Sequence, residues 1–181
     1  MLKICSNIKY FAGYFLFAFL IPFFSDAQTM NRPPDRMKML SAFNGEWKGE
    51  YAEQKKGKKV KTKISHVSEK VAGGWAVQIS ETANLPDKGK YMAVKIFSYS
   101  NAGDTTYMYV VDNQGATYFY TGIWKGNKHL VLSNASPGEN GKILKKEVSY
   151  EFKNMREYEY TYTSSVNDSI DSVIEMSMKK Q

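Results

Sequence analysis

The sequence predicts an all-β chain of about ten antiparallel strands closed into a single barrel, with a short N-terminal helix stopping one end. Three observations predict it. Apolar and polar residues alternate one by one over most of the chain after residue 45, the period of a strand with one face buried. Turn sequences rich in Gly, Asn, Asp and Pro interrupt that alternation about every 8 to 12 residues. No helical stretch intervenes to carry a parallel crossover, so antiparallel pairing is left, and closure removes the two edges that an open sheet would expose.

The chain has 181 residues, enough for one domain, and a net charge of +7. Its first 27 residues read as a secretory signal: Lys3 and Lys9 precede an apolar run from Tyr10 to Phe24, and Ser25-Asp26-Ala27 offers small residues for cleavage after Ala27. That run is shorter than the roughly 20 residues that span a bilayer, and Pro22 interrupts it. The expectation is an exported protein, periplasmic or secreted. Cys5 is the only cysteine and falls within the signal, so the mature chain is expected to hold no disulfide, thiol nucleophile or thiolate metal site.

Residues 28–34 form a polar, proline-containing lead, and the barrel domain is expected over 35–181. Asp35 can cap a helix over Arg36 to Phe43, with Met37, Leu40 and Met39 on its apolar side. Residues 46–53 make the first strand, introduced by Gly45 and carrying Trp47, an indole large enough to plug a barrel floor. In the second strand Lys59, Lys61, Lys63 and Ser65 occupy one face and Val60, Thr62, Ile64 and His66 the other, which aims His66 inward. Gly73-Gly74 turns the chain into a third strand whose inner face is expected to hold Trp75, Val77 and Ile79, with Glu81 of the same parity at an exposed strand end.

In the fourth strand, Tyr91 to Tyr99, Lys95 is expected to mark the outer face and leave Met92, Val94 and Ile96 inside. The fifth and sixth strands, joined at Asn113-Gln114-Gly115, are apolar on both faces, so parity assigns neither. Leu130 and Leu132 mark the seventh strand and Val148, Tyr150 and Phe152 the eighth. Tyr158, Tyr160 and Tyr162 share one side of the ninth, and Ile174, Met176 and Met178 that of the last.

Gly45-Glu46-Trp47 behind a short helix resembles the G-x-W opening of lipocalins and other calycin barrels. Leu40 to Glu50, Gly73-Gly74-Trp75, Tyr99-Ser100-Asn101, Gly122-Ile123-Trp124 and Leu130-Val131-Leu132 are similar to a secreted, lipocalin-like bacterial family known as domain of unknown function 1579. The resemblance spans Met37 to Lys180 and implies the barrel, but no activity. The last strand ends in Lys179 and Lys180 where a lipocalin would stack an arginine on the tryptophan.

For function, the alternating apolar faces point to a carrier or sensor of a small apolar or amphipathic molecule. Its expected walls are Trp47, Ile64, Trp75, Val77, Tyr150 and Tyr160, with His66 as polar contact. An inward imidazole could also ligate a haem, but no second ligand at a fixed spacing accompanies it. A hydrogen-bonded, partly exposed histidine and no cofactor are therefore expected. The alternative is a non-binding envelope protein that meets an anionic surface or a protein partner through Lys55, Lys56, Lys58, Lys59, Lys61 and Lys63. An enzyme using His66 or Glu81 is a third reading, and no nucleophile with a recognisable partner supports it. Nucleic acid is not expected, since no aromatic side chains are interleaved with those lysines.

Overall fold

The computed structural model describes residues 35–55, 58–86, 89–138 and 141–181; the leader, its cleavage point and the lead 28–34 lie outside them. After a helix α1 (Asp35–Leu40) and a 3-10 turn (Ser41–Phe43) come ten strands, each antiparallel to the next. They are β1 (Gly45–Lys55), β2 (Lys58–Val71), β3 (Ala76–Leu85), β4 (Gly89–Ser100), β5 (Thr105–Asp112), β6 (Thr117–Lys125), β7 (His129–Pro137), β8 (Ile143–Asn154), β9 (Glu157–Val166) and β10 (Ser169–Lys180). β1 also pairs with β10, from Trp47 opposite Lys180 to Gln54 opposite Val173, and this seam closes the barrel. Among the described residues no helix is long and apolar enough to cross a membrane.

Closure needs strands that curl tightly, and two inward-facing glycines supply the room. A Cβ on Gly49 would collide with the Ser177 carbonyl oxygen of β10, and one on Gly122 with the Val131 carbonyl oxygen of β7. A side chain at either point would force the neighbouring strand outward.

One end of the barrel is packed shut with aromatic rings. The helix buries Met37 and Leu40, and Phe43 follows them into the bore. There its ring stacks on Phe97 at 5.2 Å and meets Tyr150, Phe152 and Tyr158 edge-on at 4.9 to 5.5 Å. Such pairs add about 0.5–1.5 kcal/mol each beyond the area they bury. The Phe43 carbonyl accepts hydrogen bonds from the Trp47 indole N–H (2.7 Å) and from the Ser68 hydroxyl, so the end of the helix is tied to β1 and β2.

The Trp47 ring packs against both His66 (5.9 Å, 13° between planes) and Tyr158 (4.9 Å), whose own rings are 6.0 Å apart. The Lys180 ammonium is 5.7 Å from the indole centroid, so a lysine supplies the cation over the tryptophan. His66 is 2% exposed, fully buried where partial exposure was expected, because β2 runs on to Val71 and keeps it away from a strand end. Its Nε2 is 2.7 Å from the Tyr158 hydroxyl, and its Nδ1 has no hydrogen-bond partner among the described atoms.

The inward parity expected for β2, β3 from Val77, and β7 to β10 agrees with the burial of Ile64, Val77, Ile79, Leu130, Leu132, Val148, Tyr150, Phe152, Tyr158, Tyr160, Met176 and Met178. β4 is inverted relative to expectation: Ala93, Lys95 and Phe97 face the interior, while Met92, Val94 and Ile96 face solvent. Trp75 is also a correction. It ends the Gly73-Gly74 turn with helical backbone angles, one residue before β3, so strand parity does not extend to it and it is 41% exposed.

Two outcomes test this architecture. Gly122→Ala lowers stability by about 2 kcal/mol, as expected for a methyl forced into a filled site, read as a reduced urea midpoint; an unchanged midpoint contradicts the close approach of β6 and β7. Burial, aided by the Lys95 charge, lowers the His66 pKa from 6.5 to about 3. The unfolded chain therefore takes up this proton as pH falls below 6.5 while the native chain resists until about 3. The stability this residue contributes is intact above pH 6.5 and is lost across that window, on the order of 5 kcal/mol in all. His66→Gln removes that part of the acid slope in denaturation measured between pH 7 and 3, and an identical slope in the variant contradicts the burial.

Candidate functional site

Beyond the aromatic floor, toward the end that carries the β1–β2, β3–β4, β5–β6, β7–β8 and β9–β10 turns, the bore opens into a cavity of about 300 Å³. Its walls are assembled by the same alternation that closes the barrel, so every strand but β7 contributes. Ile64, Ala83, Val110, Val148, Ile174 and Met176 form apolar panels, and Tyr51, Tyr91, Tyr118, Tyr120, Tyr160 and Tyr162 form a belt of phenols. Glu53, Leu85, Asp112 and Gln114 reach the rim. The rim is pinned at β5–β6: Asp112 accepts from the backbone N–H groups of Gln114 and Ala116, and the Asn113 side chain bonds the backbone of Lys90 and Met92, all at 2.9 Å.

Two charged side chains meet within these walls. Lys95 Nζ is 2.8 Å from Glu81 Oε2, with the side chains 7% and 6% exposed, and the ammonium is 5.2 Å from the Tyr160 ring centroid. Glu81 lies opposite Ala93, and Lys95 is two residues further along the same inward face of β4, so adjacent strands in this register bring the pair together. Burial alone pulls the ammonium toward its neutral form. The Glu81 carboxylate, with Tyr160 and Tyr91, more than reverses that pull, and the Lys95 pKa is pushed up. Burial likewise raises the phenols: Tyr91 to about 12, and Tyr51, Tyr120 and Tyr160 further. The cavity therefore presents the Lys95–Glu81 ion pair among phenol hydroxyls. A second lysine, Lys146 of β8, is also turned inward and holds its ammonium 3.5 Å from the centre of the Tyr118 ring.

Of the side chains expected as walls, Ile64 and Tyr160 line this cavity. Trp47, His66, Val77 and Tyr150 are buried in the floor and core instead, and Trp75 lies outside the barrel. Glu81, expected at an exposed strand end, is in the cavity wall because β3 continues to Leu85. Lys95 was missed for the reason that β4 was inverted: a lysine reads as a solvent marker. The available signal was the inward parity of Glu81, which calls for a cation on a neighbouring strand. Of the basic hairpin, Lys61 is exposed and bonds Glu50 at 3.0 Å, and Lys63 is exposed; the side chains of Lys55, Lys56, Lys58 and Lys59 lie outside the described residues. No group of three or more His, Cys, Asp or Glu side chains placed to hold a metal ion occurs among the described residues.

No protein-family model matches the chain, and a search of curated proteins returned no significant match. Solved structures do match. Two barrels superpose loosely: the redesigned beta barrel b11L5F_LGL (TM-score 0.43, 10% identity, 78% of this chain and 93% of that one) and EF1p2_mFAP2b bound to DFHBI (TM-score 0.44, 8% identity, 80% and 98%). The crystal structure of Rv2717c from M. tuberculosis superposes with a TM-score of 0.62 at 14% identity, over 83% of this chain and 99% of that one, a likeness that establishes the shared barrel fold.

Proposed function

We propose that the chain is an exported carrier or sensor of a small amphipathic molecule, with its leader removed after Ala27 and its ligand seated in the open-end cavity. One observation carries the reading: an ion pair is buried in the wall of an otherwise largely apolar and phenolic cavity of about 300 Å³. Burying both charges costs several kcal/mol per ion before their attraction offsets it, and a packed apolar pair serves stability as well or better. A barrel selected for rigidity alone has no use for Lys95 and Glu81, whereas a few fixed polar groups among apolar walls are how small-molecule pockets orient their occupants. The ammonium has three donors and Glu81 accepts one. A ligand carboxylate or carbonyl fits the remaining donors and the tyrosine hydroxyls, with its apolar part against Ile64, Val110, Val148 and Ile174.

The lysine stacked on Trp47 supports keeping the lipocalin-like resemblance within this proposal, since the cation expected over that indole is supplied by a different residue type. The haem reading has less support: an iron on His66 Nε2 would have to displace the Tyr158 hydroxyl in a packed floor. Contact with an anionic surface through the first hairpin gains no comparable observation, because Lys61 is engaged with Glu50.

Two experiments test the site. Lys95→Met alone leaves a buried carboxylate without its cation and lowers stability by about 3–5 kcal/mol, whereas Lys95→Met with Glu81→Leu recovers most of that loss; equal losses in the single and double variants contradict a desolvated pair. Native mass spectrometry of protein purified from its own cell envelope, and of delipidated protein mixed with decanoate, is expected to find a bound small molecule. Ala83→Trp, which fills the cavity, abolishes that binding while far-UV circular dichroism stays that of a β-barrel. Absence of any adduct on the wild-type protein in both samples overturns the carrier reading.

A further inference from the structure

The outside of the barrel is divided into two unlike halves. Outward positions on β8, β9, β10, β1 and β2 include both acids and bases, as at Glu147, Glu159, Glu175, Lys48 and Lys63. Outward strand positions from Gln78 of β3 to Ser133 of β7 carry no acid, and their only charges are Lys90 at the start of β4 and Lys125 at the end of β6. Between those two lysines Met92, Val94 and Ile96 of β4, Tyr109 and Val111 of β5, and Phe119 and Ile123 of β6 are each 38 to 51% exposed. They are contiguous. Ile96 lies opposite Tyr109, Val94 opposite Val111, and Tyr109 opposite Phe119, and the Phe119 ring stacks at 5.8 Å on Tyr107.

A solvated sheet face ordinarily carries polar side chains, so a large apolar patch on one calls for a cover. These seven side chains expose on the order of 550 Å². With the uncharged Ser and Thr margin, that approaches the roughly 800 Å² that each partner buries in a stable protein interface. The cover is not a bilayer spanned by the barrel, which would need an apolar band on every strand. A partner recognised by charge finds only Lys90 and Lys125, at opposite ends of the patch. The face suits its own copy: around a two-fold axis an uncharged patch meets itself without like charges facing and without stranding an ion. Two twisted sheets of aromatic and β-branched side chains can pack face to face at about 10 Å.

We infer that the chain is a homodimer closed about a two-fold axis through the outer faces of β4, β5 and β6. The dimer is independent of what the cavity holds, since inward and outward side chains on these strands are different residues.

Sedimentation velocity on the mature protein tests it. The wild type is expected at twice the chain mass at micromolar concentration. Tyr109→Glu, at the centre of the patch, should weaken association about tenfold or more, while Glu147→Lys on the charged half leaves it unchanged. Ile123→Lys, at the patch margin, replaces Tyr109→Glu if the latter fails to give the wild-type circular dichroism spectrum. A wild-type monomer at 100 µM, used as roughly the upper limit for a specific complex, overturns the inference. So does a wild-type monomer that floats with phosphatidylglycerol vesicles, which would make a lipid surface the occupant. A dimer that survives the patch substitution in a folded variant overturns it too, by placing the interface elsewhere.

Discussion

Pairing between the first strand and the last is the constraint on which the rest of the molecule depends. Only when Trp47 lies opposite Lys180 and Gln54 opposite Val173 does a ten-stranded sheet acquire an inside, and only then does alternation along each strand separate core from solvent. The seam makes geometric demands that the sequence meets locally. Gly49 lets β10 approach β1 closely, and Gly122 lets β7 approach β6. The bore is then filled from the helix end by Phe43 and Trp47, whose rings find partners on β2, β4, β8 and β9.

The two ends of the bore follow opposite physical rules. At the helix end the contacts are dominated by rings packed on rings, with Met37 and Leu40 beside them, and the Phe43 carbonyl ties elements together through Trp47 and Ser68. At the other end the side chains stop short of filling the space, and the polar groups point into it. Glu81 and Lys95 are tolerable there because each neutralises the other at 2.8 Å and tyrosines surround them. A barrel with one dry, solid end and one roomy, dipolar end is asymmetric in the way a receptor must be, rigid where the fold is held and hollow where a molecule enters.

Most of the barrel was legible from residue types because lysine and glutamate usually mark water and β-branched or aromatic residues the core. That rule assigned β2 through His66 and β8 through Val148 and Tyr150. It failed in β4, where the lysine is the buried residue and Met92, Val94 and Ile96 are the exposed ones. The failure has a physical cause: a charge inside is stable only with a partner, and the partner, Glu81, lies on another strand in a register that no single segment encodes. Trp75 failed for a different reason, since a left-handed Gly73 and the turn behind it shift the start of β3 past the indole. In β5 and β6 both faces are apolar, so parity had no contrast to read; the same absence of contrast marks the outer patch. The candidate site was less legible than the fold because its defining pair needed the three-dimensional register, while its wall residues Ile64 and Tyr160 followed from alternation alone.

The account stands on a desolvated ammonium–carboxylate pair inside a closed barrel, and the ¹⁵N resonance of the Lys95 ammonium reports on it directly. With lysine ¹⁵Nζ labelling, the account predicts one ammonium signal that exchanges slowly with water, persists above the pH at which the surface lysines broaden, and is lost in Glu81→Gln. A Lys95 signal that exchanges and titrates with the surface lysines would place that side chain in water and contradict the interior described for this protein.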